Sequence, residues 1–133
     1  MDTYLIDSNF FLRFLLNDNP TQYGLALKYL NLAKNGEIKL VLSSITVAEM
    51  IYVLERLYEL DRRTIVQKIA IIINTPYIDI QDRDYIKQAL LTFLHEKIHF
   101  SDCYLLERAM CSDYKILTFD KDLMKLYTKV DEK

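Results

Sequence analysis

The sequence predicts an α/β fold: a parallel sheet covered by helices on both faces. Three observations carry that reading. Short β-branched or aromatic runs alternate with helical apolar patterns along the whole chain, which is the signature of strand–helix–strand units. The 133 residues are 51% hydrophobic and 27% charged, enough for one core that buries roughly two thirds of the unfolded surface, so residues 1–133 read as one domain. Only two glycines and two prolines are present, which leaves no room for linkers or low-complexity tracts.

The elements follow in order. Thr3-Tyr4-Leu5-Ile6-Asp7 reads as the first strand, and Ser8 leads into a helix with Phe10, Phe11, Phe14 and Leu15 on its apolar face. A second helix runs from Pro20 to Lys34, with proline in its first turn and Asn35-Gly36 closing it. Ile38 to Leu42 is a buried strand. Ser43 or Ser44 caps a helix that carries Ile45, Ala48, Glu49, Tyr52, Val53 and Leu57 to Tyr58, and Asp61 caps another that ends before Asn74-Thr75-Pro76. Tyr77 to Ile80 is the third strand, Asp82 opens a helix to Ile98, and Ser101 caps one through Met110. Lys115-Ile116-Leu117-Thr118-Phe119 is expected to be a fourth strand, and Asp120 starts a last helix with Leu123, Met124 and Tyr127.

Several function classes are excluded at this stage. A net charge of −2 gives no global basic field, so any phosphate partner must be held locally. Gly24 and Gly36 lie too far apart to form a phosphate-cradling loop, a dinucleotide turn or a nucleophile elbow. No apolar run approaches the ~18 residues of a membrane span, and the Asp7 and Arg13 charges break any secretory leader, so a cytoplasmic location is expected. Cys103 and Cys111 sit on one helix about 12 Å apart, beyond disulfide reach, and are expected to be reduced, buried thiols.

Four acids stand out. In a parallel α/β sheet, ligands bind beyond the carboxyl ends of the strands, and there Asp7 ends the first strand and Asp120 the fourth. Asp102 is in register with Leu105, Leu106 and Ala109, and Glu49 stands among Ile45, Tyr52 and Val53, so both are read on apolar helix stripes. Each acid has a simpler role: Asp7 and Asp120 as helix caps, Asp102 as a dipole partner, Glu49 as half of an ion pair. If all four converge, each like-charge pair at 4 Å costs on the order of 4 kcal/mol at an effective dielectric near 20. A hard divalent cation, Mg²⁺ or Mn²⁺, is the species that all-oxygen ligation selects to offset this.

The segments Tyr4-Leu5-Ile6-Asp7-Ser8-Asn9, Ser44-Ile45-Thr46-Val47-Ala48-Glu49, Phe100-Ser101-Asp102-Cys103 and Leu117-Thr118-Phe119-Asp120-Lys121 resemble the four acidic motifs of PIN-domain ribonucleases. Within that family the chain is most similar to the VapC-type toxins of toxin–antitoxin pairs. The resemblance implies a three-layer α/β/α domain with a parallel sheet of four or five strands, the fifth from Thr128 to Val130. It implies an Mg²⁺- or Mn²⁺-dependent endoribonuclease in which Asp7, Glu49, Asp102 and Asp120 bind the metal and serve catalysis. It also implies an RNA substrate, a small antitoxin partner and a homodimer. Asn9 and Thr118 are candidates for supporting contacts, Arg13 and Lys121 for phosphate contacts, with Arg56 and Arg108 as further cations. The chain departs from the family at Ser112-Asp113, where a glycine is often found and Asp113 is expected to take the left-handed conformation instead.

Two alternatives belong to other classes. His95-Glu96-Lys97-Ile98-His99 spells H-E-x-x-H, which on one helix would place two zinc ligands beside a general base for proteolysis. A non-catalytic interaction module of the same fold is the other, although clustered like charges contribute nothing to a domain that only binds.

Overall fold

The computed structural model describes residues 1–131, and their contacts cluster into two compact units, Met1–Arg83 and Asp84–Lys133. The first unit holds all the strands. In chain order it contains β1 (Asp2–Leu5), α1 (Ser8–Leu16), α2 (Pro20–Lys34), β2 (Ile38–Leu42), α3 (Ser44–Arg56), α4 (Arg62–Ile73) and β3 (Ile78–Ile80). The strands pair in parallel in the order β1-β2-β3, with Asp2 opposite Ile38 and Leu40 opposite Ile78. Each ladder runs one bond further at its carboxyl end: the Ile6 N–H donates to the Val41 carbonyl at 2.9 Å and the Gln81 N–H to the Leu42 carbonyl at 3.0 Å.

Side-chain caps start the helices of this unit. Asp7, Asn19, Ser43 and Asp61 each accept a backbone N–H from three residues on, satisfying a donor that the first helical turn leaves orphaned. Pro20 occupies the opening turn of α2, where its missing N–H costs nothing. α4 ends without glycine. There the guanidinium of Arg83 gathers the carbonyls of Ile73 at the helix end, of Thr75 in the following turn and of Ile78 at the start of β3. Phe11, Leu40, Leu42, Met50, Ile51, Leu54, Ile65, Ile69, Ile72 and Ile73 are fully buried.

The second unit is helical: α5 (Arg83–His95), whose first residue closes the preceding unit, then α6 (Phe100–Ser112) and α7 (Lys121–Asp131). The rings of Phe93 in α5 and Phe100 in α6 meet edge to face at 6.1 Å. Thr92 donates to Glu107 at 3.1 Å, and the Arg108 guanidinium lies 4.8 Å above the Tyr85 ring.

Several sequence expectations need correction. The sheet has three strands among the described residues, not four or five. Lys115–Phe119 is not a strand, and Thr128–Val130 lies within α7. Propensity can select an extended backbone, but a strand also requires a ladder partner, and none pairs with residues 115–119. α5 ends at His95 rather than Ile98, and α6 begins at Phe100 with His99 as N-cap, so Ser101 is inside the helix. Asp82 leads into α5 with a left-handed backbone at φ 57°. Cys103 is buried as expected but Cys111 is exposed, and both are free thiols.

Candidate active site

In the first unit the acids stand on helices that follow strands. Asp7 leaves β1 and caps α1, its Oδ1 accepting the Phe10 N–H at 2.9 Å. The second carboxylate oxygen is not needed by the cap. At the same carboxyl edge, after β2 and β3, the Gln81 side-chain oxygen accepts the Ser44 N–H at 3.2 Å and the Ser44 hydroxyl at 3.3 Å, which fixes the start of α3.

Glu49 is in the second turn of α3 and is exposed. This corrects its reading as a core-stripe acid. The buried face of α3 is Val47, Met50, Ile51 and Leu54, whereas Ile45 is 79% and Tyr52 61% exposed. Two exposed apolar residues therefore imitated a core stripe at helical spacing.

Asp102 and Asp120 carry the electrostatic signal of the second unit. Asp102 is half-buried in the first turn of α6, beside the buried Cys103, Leu106 and Ala109, while Leu105 faces outward. Burial pushes its carboxyl above the ordinary aspartate range, the negative charge of Asp120 pushes it further, and His99 pulls the other way. A helix N-terminus normally favours a carboxylate, so here desolvation and the neighbouring anion outweigh the dipole. Asp120 caps α7: its Oδ1 accepts the Leu123 N–H at 2.9 Å, and its own N–H donates to the Thr118 hydroxyl at 2.9 Å. Thr118 thus holds the backbone of an acid.

The other candidates are placed as follows. Asn9 is exposed in the first turn of α1, and Lys121 is exposed at the start of α7. Arg13 is engaged within the first unit: it pairs with Asp18 at 2.9 Å and donates to the Tyr58 hydroxyl at 2.8 Å. That hydroxyl, followed by the charges around it, outweighs desolvation and raises the guanidinium pKa further. His99 was not read as a partner of Asp102, although its position at the N-cap three residues earlier was the available signal. Asp113 is left-handed as expected, with φ 55°, and closes α6. The H-E-x-x-H segment is split by the break between helices: His95 ends α5 and His99 precedes α6, so no helix presents both on one face.

Among the described residues no three His, Cys, Asp or Glu side chains gather closely enough to hold a metal. A hard cation of the Mg²⁺ type is commonly held by one or two carboxylates together with water and substrate phosphate. Asp102, whose carboxyl feels the Asp120 charge, and Asp120 itself offer carboxylate oxygens that fit that donor set.

An α/β chain that sets carboxylates in the opening turns of its helices defines an acidic-site domain. The model of the PIN domain family matches residues 4–129, and the chain belongs to that family. PIN domains are usually nucleases, and typically use Mg²⁺ or Mn²⁺. No curated protein and no solved structure matches the chain. No helix among the described residues is long and apolar enough to cross a membrane.

Proposed function

We propose that the protein is a divalent-cation-dependent endoribonuclease in which Asp102 and Asp120 hold Mg²⁺ or Mn²⁺, with Asp7 and Glu49 as further acidic residues of the reaction. The observation that carries this reading is the placement of Asp102 beside Asp120 in a chain of the PIN family: burial first, and then the Asp120 charge, raise the Asp102 carboxyl, and a bound cation would offset that charge. When bound, the cation supplies an acidified water and neutralises charge developing on the phosphate. The chain's own residues provide the rest. Asp7 and Asp120 are each oriented by a backbone N–H on one oxygen and present the other. Thr118 fixes the backbone at Asp120, and Lys121 offers its ammonium to the substrate phosphate.

The same reading makes the chain the toxin of a toxin–antitoxin pair, working as a homodimer in the cytoplasm and restrained by a small antitoxin. An apolar cavity of about 330 Å³ beside Asp7, lined by Tyr4, Leu5, Phe10 and Tyr29 among others, supports such a partner. Its rings pack edge to face, Tyr4 to Tyr29 at 5.4 Å and Phe10 to Tyr29 at 6.1 Å. RNA incubated with the protein should be cut with Mg²⁺ or Mn²⁺, left intact with EDTA, and cut again when the metal is restored. RNA left intact under every metal condition would overturn the nuclease reading.

A further inference from the structure

α7 carries Lys121, Lys125 and Lys129 at steps of four residues, which on a helix turn by only about 40° each and rise about 6 Å each. The three form one ridge about 12 Å long. Leu123, which is 1% exposed, and Val130 lie on the opposite side of the helix, so the ridge faces away from the packed side. All three lysines are exposed, as is Lys97 in the connection between α5 and α6. Lys97, Lys125 and Lys129 line a shared cavity of about 470 Å³.

The ion pairs Arg13–Asp18, Lys39–Asp79 and Arg62–Glu55 take no lysine of this ridge. Glu96 and Asp122 line the same cavity, but the three ammonium groups outnumber their two carboxylates. A single phosphate cannot touch charges spread over this length; a polyanion can. The ridge also starts next to Asp120, at the candidate site.

We propose that the Lys121–Lys125–Lys129 ridge, with Lys97, binds the sugar–phosphate backbone of a single RNA strand running on from the phosphodiester at Asp120. This rests on the nuclease reading for the position of the cleaved bond, but not for the binding itself. The substrate is then an RNA segment several nucleotides long, and the ridge contributes affinity without base preference.

The test is fluorescence anisotropy of a labelled ten-nucleotide oligouridylate in EDTA, where hydrolysis is stopped, from 50 to 300 mM KCl. For single strands, log K falls with log salt by about 0.7 for each phosphate neutralised. The double variant Lys125→Gln/Lys129→Gln should therefore lose about 1.4 from the parental slope and bind at least about tenfold more weakly, while Lys28→Gln/Lys34→Gln on α2 keeps the parental slope. If the double variant melts before the assay temperature, Lys129→Gln alone should lose about 0.7.

A double variant with the parental slope would overturn the proposal, as would a ridge that binds a labelled polyglutamate peptide but no RNA. RNA bound through the ridge yet never cut with Mg²⁺ or Mn²⁺ would sink the nuclease reading and leave the ridge standing. RNA cut normally with an unchanged slope would do the reverse.

Discussion

Asp102, in the first turn of α6, lies within reach of the charge of Asp120, the residue that caps α7. Asp102 shows the consequence: burial and the Asp120 charge together raise its carboxyl despite the favourable end of the α6 dipole and the opposing influence of His99.

Asp102→Asn should therefore melt at or above the parental temperature in EDTA, because it removes a charge the metal-free fold disfavours. Mg²⁺-dependent cleavage should fall by about 100-fold or more, equivalent to about 2.7 kcal/mol of barrier. A variant that melts lower in EDTA and cuts RNA at the parental rate would assign Asp102 a purely structural role.

Asp61 responds to pH in the opposite sense to Asp102. The Thr64 backbone N–H, at 2.8 Å, is the main cause that holds its carboxyl below the ordinary range, assisted by the Thr64 hydroxyl and the Arg63 charge. A depressed folded-state pKa means that the stability Asp61 provides is fully present above the ordinary carboxylate range. It is lost as pH falls through the lowered value. Melting curves between neutral and acid pH should be flatter for Asp61→Asn than for the parent, with the divergence confined to that acid window.

Ser43→Ala should cost about 1 kcal/mol by urea denaturation. It removes the acceptor of the Thr46 N–H at 3.2 Å and the hydroxyl contact to Thr46 at 2.9 Å. Ser43→Asn, which retains a capping oxygen, should recover most of the loss.

Leu117 and Phe119 are 99% and 106% exposed, while Ile116 between Lys115 and Leu117 is 7% exposed. Leu117→Ser should accordingly change stability by no more than about 0.5 kcal/mol. Ile116→Ala should cost about 2–5 kcal/mol, as truncation of a buried isoleucine does. An equally large loss at Leu117, measured by the same urea titration, would show that this residue is packed in solution.

What could be read from the sequence depended on how locally each feature is determined. β1, β2 and β3 combine β-branched composition with nearby turn and cap residues, and all three were legible to within two residues. The caps Asp7, Ser43, Asp61 and Asp120 were legible for the same reason, since a cap is fixed within four residues of chain. Pairing is not local. Residues 115–119 alternate as a strand would, yet whether they join a sheet depends on an edge elsewhere. Glu49 failed differently: the apolar neighbours that suggested a buried stripe were on the solvent side of α3, and helical spacing alone does not say which of two apolar faces is packed. For the candidate site, sequence identified the acids but not their electrostatic coupling, because the influence of Asp120 on Asp102 depends on how α6 and α7 are set together.

The chain makes its left-handed turns almost without glycine. Among the described residues Gly36 occupies one such position, and Asn17, Glu59, Asp82 and Asp113 occupy the others with φ between 49° and 57°. Asn and Asp tolerate that geometry through short polar side chains; glutamate has no such relief, and the left-handed region costs an ordinary residue roughly 1–2 kcal/mol. Glu59 therefore marks unused stability headroom between α3 and α4. Part of that headroom is open to Glu59→Gly, after subtracting the extra freedom glycine gives the unfolded chain, at a position that makes no demand on the acids.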